Sequence, residues 1–200
     1  MCSGASVWAE YAIADYGRVI KIPDNNMDFA TASTLPIALA TMHNAIVTIG
    51  NFSKGQTILI QGASSGVGLM GLQIAKHLGA KLVIGTSTKP EKFDKLKSIG
   101  ADLVVNSKDK DWVDHVLQAT NNEGVDLIID QLSGYTINEN MRASKVKGTI
   151  VNVGRLAGGN TEFNCDLHAL RRINYRGVTF RTRSINEIRE VYSKMWSDLG

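Results

Sequence analysis

The residues best suited to chemistry are the small ones in Gly62-Ala63-Ser64-Ser65-Gly66-Val67-Gly68. Glycine and serine let a ligand approach the backbone closely. A helix that starts at such a turn also aims its unpaired N–H groups, and the positive end of its dipole, at that ligand. The matching guest is a pyrophosphate. The spacing departs from the usual G-x-G-x-x-G, since Ala63 and Ser65 stand where the first two glycines would be. A second polar group follows at Gly85-Thr86-Ser87-Thr88-Lys89, with Lys92 one turn further on. NAD-binding versions of such a motif place an acid there, about 20 residues past the glycines, to bind the adenosine ribose. A carboxylate would repel a 2′-phosphate, whereas Thr86, Ser87 and Lys92 would hold it, so the pattern favours NADPH over NADH.

These residues need a frame. The aliphatic run Thr57-Ile58-Leu59-Ile60 before the turn reads as a strand, and Val67, Leu69, Met70, Leu72, Ile74, Ala75 and Leu78 return at near-helical spacing after it. Further short apolar strands are predicted at Lys81–Gly85, Leu103–Asn106, Val125–Asp130, Thr149–Val153 and Gly177–Phe180. Helices are predicted between them, from Pro90 to Ile99, Asp111 to Thr120, near Tyr135–Val146 and over Asp166–Asn174. Six strands alternating with helices imply an α/β fold, a Rossmann-type doubly wound parallel sheet covered on both faces. Ligands of such sheets bind beyond the carboxyl ends of the strands, where the glycine turn lies.

Before this unit, Val7–Ile13 and Arg18–Ile22 read as two short strands, and two strands cannot bury a face alone. They predict that residues 1–25 are the tail of a preceding β-rich domain, with 26–200 the dinucleotide-binding domain. Met27 to Ile49 reads as helical material interrupted at Leu35-Pro36.

Composition excludes several classes. With 44% hydrophobic and 20% charged residues the chain reads as soluble and globular, and no segment is read as apolar enough to cross a bilayer. Met1-Cys2-Ser3-Gly4 lacks the regions of a secretion signal, and only Cys2 and Cys165 are present, which together point to the cytoplasm. The net charge of +3 does not argue for nucleic acid. Arg171, Arg172, Arg176, Arg181, Arg183 and Arg189 gather near the end, but aromatic interleaving is limited to Tyr175 and Phe180, so a solvated or domain-facing surface is expected.

The chain resembles the zinc-independent quinone oxidoreductases of the medium-chain dehydrogenase/reductase superfamily. The resemblance rests on Trp8-Ala9-Glu10-Tyr11, Leu35-Pro36 followed by Thr41, Gly55-Gln56-Thr57-Ile58-Leu59-Ile60 leading into the glycine turn, Gly100-Ala101-Asp102, and Val153-Gly154-Arg155-Leu156-Ala157-Gly158-Gly159. It implies that 1–25 ends a truncated GroES-like catalytic domain and that the cofactor domain is itself truncated at its C-terminal end. It further implies that Ser65, Gly66 and Val67, with Ala63 and Ser64 beside them, meet the pyrophosphate. Ser87 and Lys92 would meet the 2′-phosphate, and Thr41 and the Gly154-Arg155 turn the nicotinamide end. Ser107 stands where many relatives carry a tyrosine near the adenosine phosphate. Zinc-dependent relatives have a metal-binding cysteine shortly before Thr41, where this chain has Ile37, and His43, His77, His115 and His168 show no ligand spacing, so no metal site is expected. The activity implied is hydride transfer from NADPH to a quinone or an α,β-unsaturated carbonyl, in a homodimer paired through an edge strand near Val178 and Phe180. No dedicated catalytic acid, base or nucleophile is identified.

Two other readings compete. Gly62-x-x-x-Gly66-x-Gly68 also matches the short-chain dehydrogenases, which pair a tyrosine with a lysine four residues later. Here Tyr135, Tyr175 and Tyr192 are followed at that spacing by Glu139, Thr179 and Trp196. A module that senses NADPH, or contacts RNA through its arginine-rich end without catalysis, is the third reading; salt dependence of RNA binding would identify it.

Overall fold

A computed structural model describes residues 9–22 and 27–199. Six parallel strands form one sheet in the order β3-β2-β1-β4-β5-β6. They are β1 (Thr57–Ile60), β2 (Leu82–Thr86), β3 (Leu103–Val105), β4 (Val125–Asp130), β5 (Ser144–Asn152) and β6 (Asn174–Gly177). The helices between them are α2 (Gly66–His77), α3 (Phe93–Ile99), α4 (Trp112–Ala119), α5 (Ile137–Ala143) and α6 (Cys165–Arg171), with α1 (Phe29–His43) before the sheet and α7 (Ile185–Leu199) after it. This is the Rossmann-type arrangement expected, with the reversal of strand order between β1 and β4.

The sheet separates two cores. On one face Ile58, Ile60, Val83, Leu127, Ile129 and Val151 pack with Met42 and Ile46 and with Leu72, Ile74 and Ala75 of α2. On the other, Leu59, Ile84, Ile128 and Ile150 pack with Trp112, Val113 and Val116 of α4 and Met141 of α5. Side chains alternate faces along a strand, so a strand covered on both sides must be apolar throughout.

Four expectations are corrected. Residues 9–22 contain no strand; they hold one 3-10 turn, Tyr16–Arg18, in which Asp15 accepts the Gly17 N–H at 3.0 Å. Arg189 of α7 grips Asp15 from the far end of the chain, with Nε at 2.9 Å from Oδ1, so a side-chain clamp replaces strand pairing. Val7 and Trp8 of that expected strand lie outside the described residues. Second, α1 runs unbroken through Pro36 and continues into a π-helical turn, Asn44–Ile49. Together Phe29–Ile49 make 21 residues of mean hydropathy 1.3, long and apolar enough by length and composition to cross a membrane. Here Ala40, Met42, Ala45 and Ile46 are buried within the domain.

Third, the sixth strand lies three residues earlier than expected, at Asn174–Gly177. Fourth, the amphipathic α7 was not anticipated; Ile188, Val191, Tyr192 and Met195 bury one stripe of it against Ala40 of α1. Smaller shifts affect α5, which stops at Ala143, and β5, which begins at Ser144.

Candidate functional site

The turn between β1 and α2 is built by residues that leave the strand abruptly. Gly62 has φ +70°, a left-handed conformation that favours glycine. Ser65 caps α2, its Oγ accepting the Gly68 N–H at 3.0 Å. A Cβ on Gly68 would lie 2.5 Å from the Gly62 carbonyl oxygen, so hydrogen at this position is what lets the helix sit against the strand. Gly66 is different: a Cβ there would meet nothing within 4 Å. Space lies open above the first turn of a 12-residue helix, where the Gly66 and Val67 N–H groups have no intrahelical acceptor.

Beside this turn is a cleft of 220 Å³ lined by Gly62, Ser64, Ser65, Thr86, Ser87, Thr88, Ser107, Leu132, Tyr135 and Leu156. Among the described residues no carboxylate lines it. Four serines from three different strand exits converge there, and Ser64 Oγ and Ser87 Oγ are 3.2 Å apart. Ser107 is 4% exposed and its hydroxyl has no hydrogen-bond partner among the described residues. A buried hydroxyl without a partner is costly unless a ligand or water supplies one. A larger apolar cavity of 440 Å³, between α1 and α7 and lined by Leu35, Pro36, Met195 and Trp196 among others, lies away from the glycine turn.

The expected site residues divide into groups. Ser64, Ser65, Ser87 and Ser107 meet at the cleft, and Gly66 and Val67 begin the helix beside it. Thr86 lines the cleft, but its hydroxyl is committed to the frame, donating to Gln61 Oε1 at 2.7 Å and accepting the Gly62 N–H at 2.9 Å. Ala63 differs from expectation in the same way: it is fully buried and its N–H donates to the Thr86 carbonyl at 2.9 Å. Lys92 ends the 3-10 turn Pro90–Lys92, and Thr41 sits on α1; neither lines the cleft. Gly154 and Arg155 adjoin it through Leu156, and the Gly154 and Leu156 N–H groups donate to the carbonyls of Asp130 and Gln131 at 3.1 Å each.

Several buried polar residues complete the site and were missed. Gln131, 4% exposed, donates from Nε2 to the Gln61 carbonyl at 3.0 Å, and its Oε1 lies 3.1 Å from Ser65 Oγ. Gln61 in turn donates to Asn140 Oδ1 at 2.6 Å. Asp130 is fully buried at the end of β4, with Oδ1 accepting the N–H groups of Leu132 and Ser133 at 2.9 Å each and Oδ2 without a hydrogen bond among the described residues. Burial pushes its carboxyl above the usual range, and those two N–H donors pull the other way. The Tyr175 phenol is pushed up by burial and by the nearby Asp130 charge. The only available sequence signal for this network was a cluster of amides and an acid at strand ends, where apolar residues would otherwise stop.

Among the described residues no three His, Cys, Asp or Glu side chains gather where they could hold a metal ion. The arginine-rich end is largely turned onto the chain itself: Arg171 donates to the Ser144 carbonyl at 2.9 Å, Arg176 to that of Ile49 at 2.8 Å and Arg183 to that of Thr179 at 3.0 Å, while Arg189 holds Asp15.

Residues 66–197 match the family described as zinc-binding dehydrogenase. The chain belongs to that family, within the medium-chain dehydrogenase/reductase superfamily. It is also similar to the highly reducing polyketide synthase pkhB of Emericella nidulans, 32% identical over 183 residues, covering 90% of this chain and 7% of that protein. Among solved structures it resembles a quinone oxidoreductase of Pseudomonas syringae pv. tomato DC3000, with a TM-score of 0.79, 23% identity, and coverage of 89% of this chain and 55% of the other. The mycobacterial protein Rv1454c, solved in complex with NADPH, gives a TM-score of 0.77 at 23% identity, covering 89% of this chain and 54% of that one. At those identities the two structures establish the fold. The chain spans about half the length of these solved relatives and a small part of the polyketide synthase.

Proposed function

We propose that the chain is the cofactor-binding part of an NADPH-dependent oxidoreductase that reduces a quinone or an α,β-unsaturated carbonyl. The observation that carries this reading is the Ser107 hydroxyl, buried without a partner among the described residues, in a cleft beside the glycine turn that no acid of the described residues lines. A dinucleotide phosphate supplies acceptor oxygens at such a place, and the open space over Gly66 admits a pyrophosphate that a side chain would exclude. Ser64, Ser87 and Lys92 would hold the 2′-phosphate, and the Gly154-Arg155 turn and Thr41 would face the nicotinamide end. NADPH supplies the hydride; the chain's residues bind and orient it and keep water from the reacting face. The matched polyketide synthase is named as highly reducing and one solved neighbour as a quinone oxidoreductase, which supports an electrophilic substrate of this class. No residue is assigned as catalytic, and substrate contacts would come from sequence beyond these 200 residues. The protein would work as a cytoplasmic homodimer joined along β6.

Titration of the chain with NADPH, followed by nicotinamide fluorescence, tests the reading. Saturable binding with displacement by NADP supports it, and absence of binding at millimolar cofactor overturns it.

A further inference from the structure

We propose that Ser133 is a positioning residue whose hydroxyl fixes the spacing between the two ends of the cofactor cleft. This rests on the cofactor reading above and deepens it. Ser133 is the third residue beyond β4, with φ 55° and ψ −144°, a combination close to one that only glycine adopts freely. Glycine would fit this backbone without strain, so the serine side chain needs a reason to be there.

The hydrogen bonds supply the reason. Ser133 is 4% exposed; its hydroxyl donates to the Gly154 carbonyl at 2.8 Å and accepts from the Asn152 amide, while its N–H is held by Asp130 Oδ1 at 2.9 Å. The hydroxyl therefore ties the exit of β4 to the turn that follows β5. Two residues earlier, Gln131 ties the same exit to the glycine turn through Gln61 and Ser65. One short segment thus grips the pyrophosphate end of the cleft with one side chain and the Gly154-Arg155 end with the other. Backbone bonds run alongside: the Val153 and Gly154 N–H groups donate to the Asp130 carbonyl at 2.8 and 3.1 Å, Leu156 to Gln131 at 3.1 Å and Ala157 to Leu132 at 2.8 Å, and Ser133 adds the side-chain bond to the Gly154 carbonyl. Glycine at 133 would preserve the fold of the turn and these backbone bonds, and would remove the side-chain part of the second grip.

The test compares the 200-residue chain with its Ser133→Gly and Ser133→Ala variants. Each is titrated with NADPH and with 2′,5′-ADP, which carries only the adenosine half. Both variants are expected to bind 2′,5′-ADP within about twofold of wild type, and NADPH about threefold to tenfold more weakly, the effect of a loosened Gly154 end once the hydroxyl's two hydrogen bonds are gone. The emission of bound nicotinamide is expected to move toward that of free NADPH, a change that simple loss of stability would not produce while the adenosine half still binds. Parallel loss of both ligands, or unchanged NADPH affinity and emission in both variants, overturns the positioning role and leaves the cofactor reading standing. A defect in Ser133→Ala absent from Ser133→Gly assigns the effect to backbone strain and also overturns it. A wild-type chain that binds neither ligand overturns the cofactor reading and this proposal together.

Discussion

The N–H of Val178 donates to the carbonyl of Asn152 at 3.1 Å, so the chain stays paired to β5 one residue beyond the end of β6. Val178 is also 7% exposed and packs into the core, so it faces inward where an interface residue was expected. By the alternation of a strand, the outward N–H groups are those of Tyr175, Gly177 and Thr179. An uncovered edge of this kind is shielded or pairs with another copy. We expect a homodimer in which two β6 strands meet antiparallel, and Thr179→Pro, which removes an outward donor, is expected to give monomers. Light scattering at high concentration decides, and a monomeric wild type refutes the dimer. Val178→Pro would break a bond within the sheet and reports on folding instead.

Cofactor preference follows from the missing acid at the end of β2. If Ser87, and Lys92 from beyond the cleft lining, contact a 2′-phosphate as proposed, charge-assisted contacts worth about 1.5–3 kcal/mol are expected to give NADPH a preference over NADH of about tenfold to a hundredfold. Equal affinities in parallel calorimetric titrations would sink this expectation.

Two glycines of one turn are expected to answer differently to substitution. Gly66→Val projects into open space, so the chain should melt near the wild-type temperature and lose dinucleotide binding. Gly68→Ala drives a methyl to 2.5 Å from the Gly62 oxygen and 2.7 Å from Ala63 Cα, both backbone, and should cost about 1–3 kcal/mol of stability. Retention of full affinity by Gly66→Val would make the turn purely structural.

His43 makes stability depend on pH. Its ring is fully buried, with Nε2 2.8 Å from Asp198 Oδ2 on α7 and Nδ1 unpartnered among the described residues. Burial holds the imidazole below its ordinary 6.5; the Asp198 hydrogen bond and charge oppose this, and the Lys194 charge adds to it. The unfolded chain therefore takes up a proton at higher pH than the folded chain does. Stability is fully present above the unfolded value and is lost as pH falls from about 6.5 toward the folded value. Thermal midpoints between pH 5 and 8 should show this slope in wild type and a flatter profile in His43→Gln. A slope unchanged by the substitution assigns it elsewhere.

Much of the frame was legible because apolar residues follow the period of the element they build. The Thr57–Ile60 strand, the turn and the helix after it announce themselves through a run of aliphatics, small residues and near-helical spacing. Asn174-Tyr175-Arg176-Gly177 has no such run, since an edge strand is covered on one side only, and the apolar Val178 drew the expectation past its end. Residues 9–22 have strand-like alternation but no neighbouring strand among the described residues, and propensity without a partner forms no sheet. Ala63 and Thr86 were read as members of the site and not as frame, because the bonds that tie them into the frame, Ala63 to Thr86 and Gly62 to Thr86, join residues far apart in the chain that meet only on folding. Gln61, Gln131 and Asn140 were invisible for the same reason: a buried amide is recognisable only by the distant group it satisfies.

The strand order also dictates how the molecule comes together in time. β1, β2 and β3 pair with sequence neighbours, so that half of the sheet needs only short loops to close. The centre closes when Ile58 meets Leu127, with Thr57 and Asp126 exchanging hydrogen bonds of 2.8 and 3.0 Å beside them, across a much longer loop. Gln131 arrives only with β4, so the glycine turn lacks its brace until that junction forms. During refolding, and as the chain leaves the ribosome, helical signal is expected to appear first, and the ability to hold a dinucleotide only after β4 has docked.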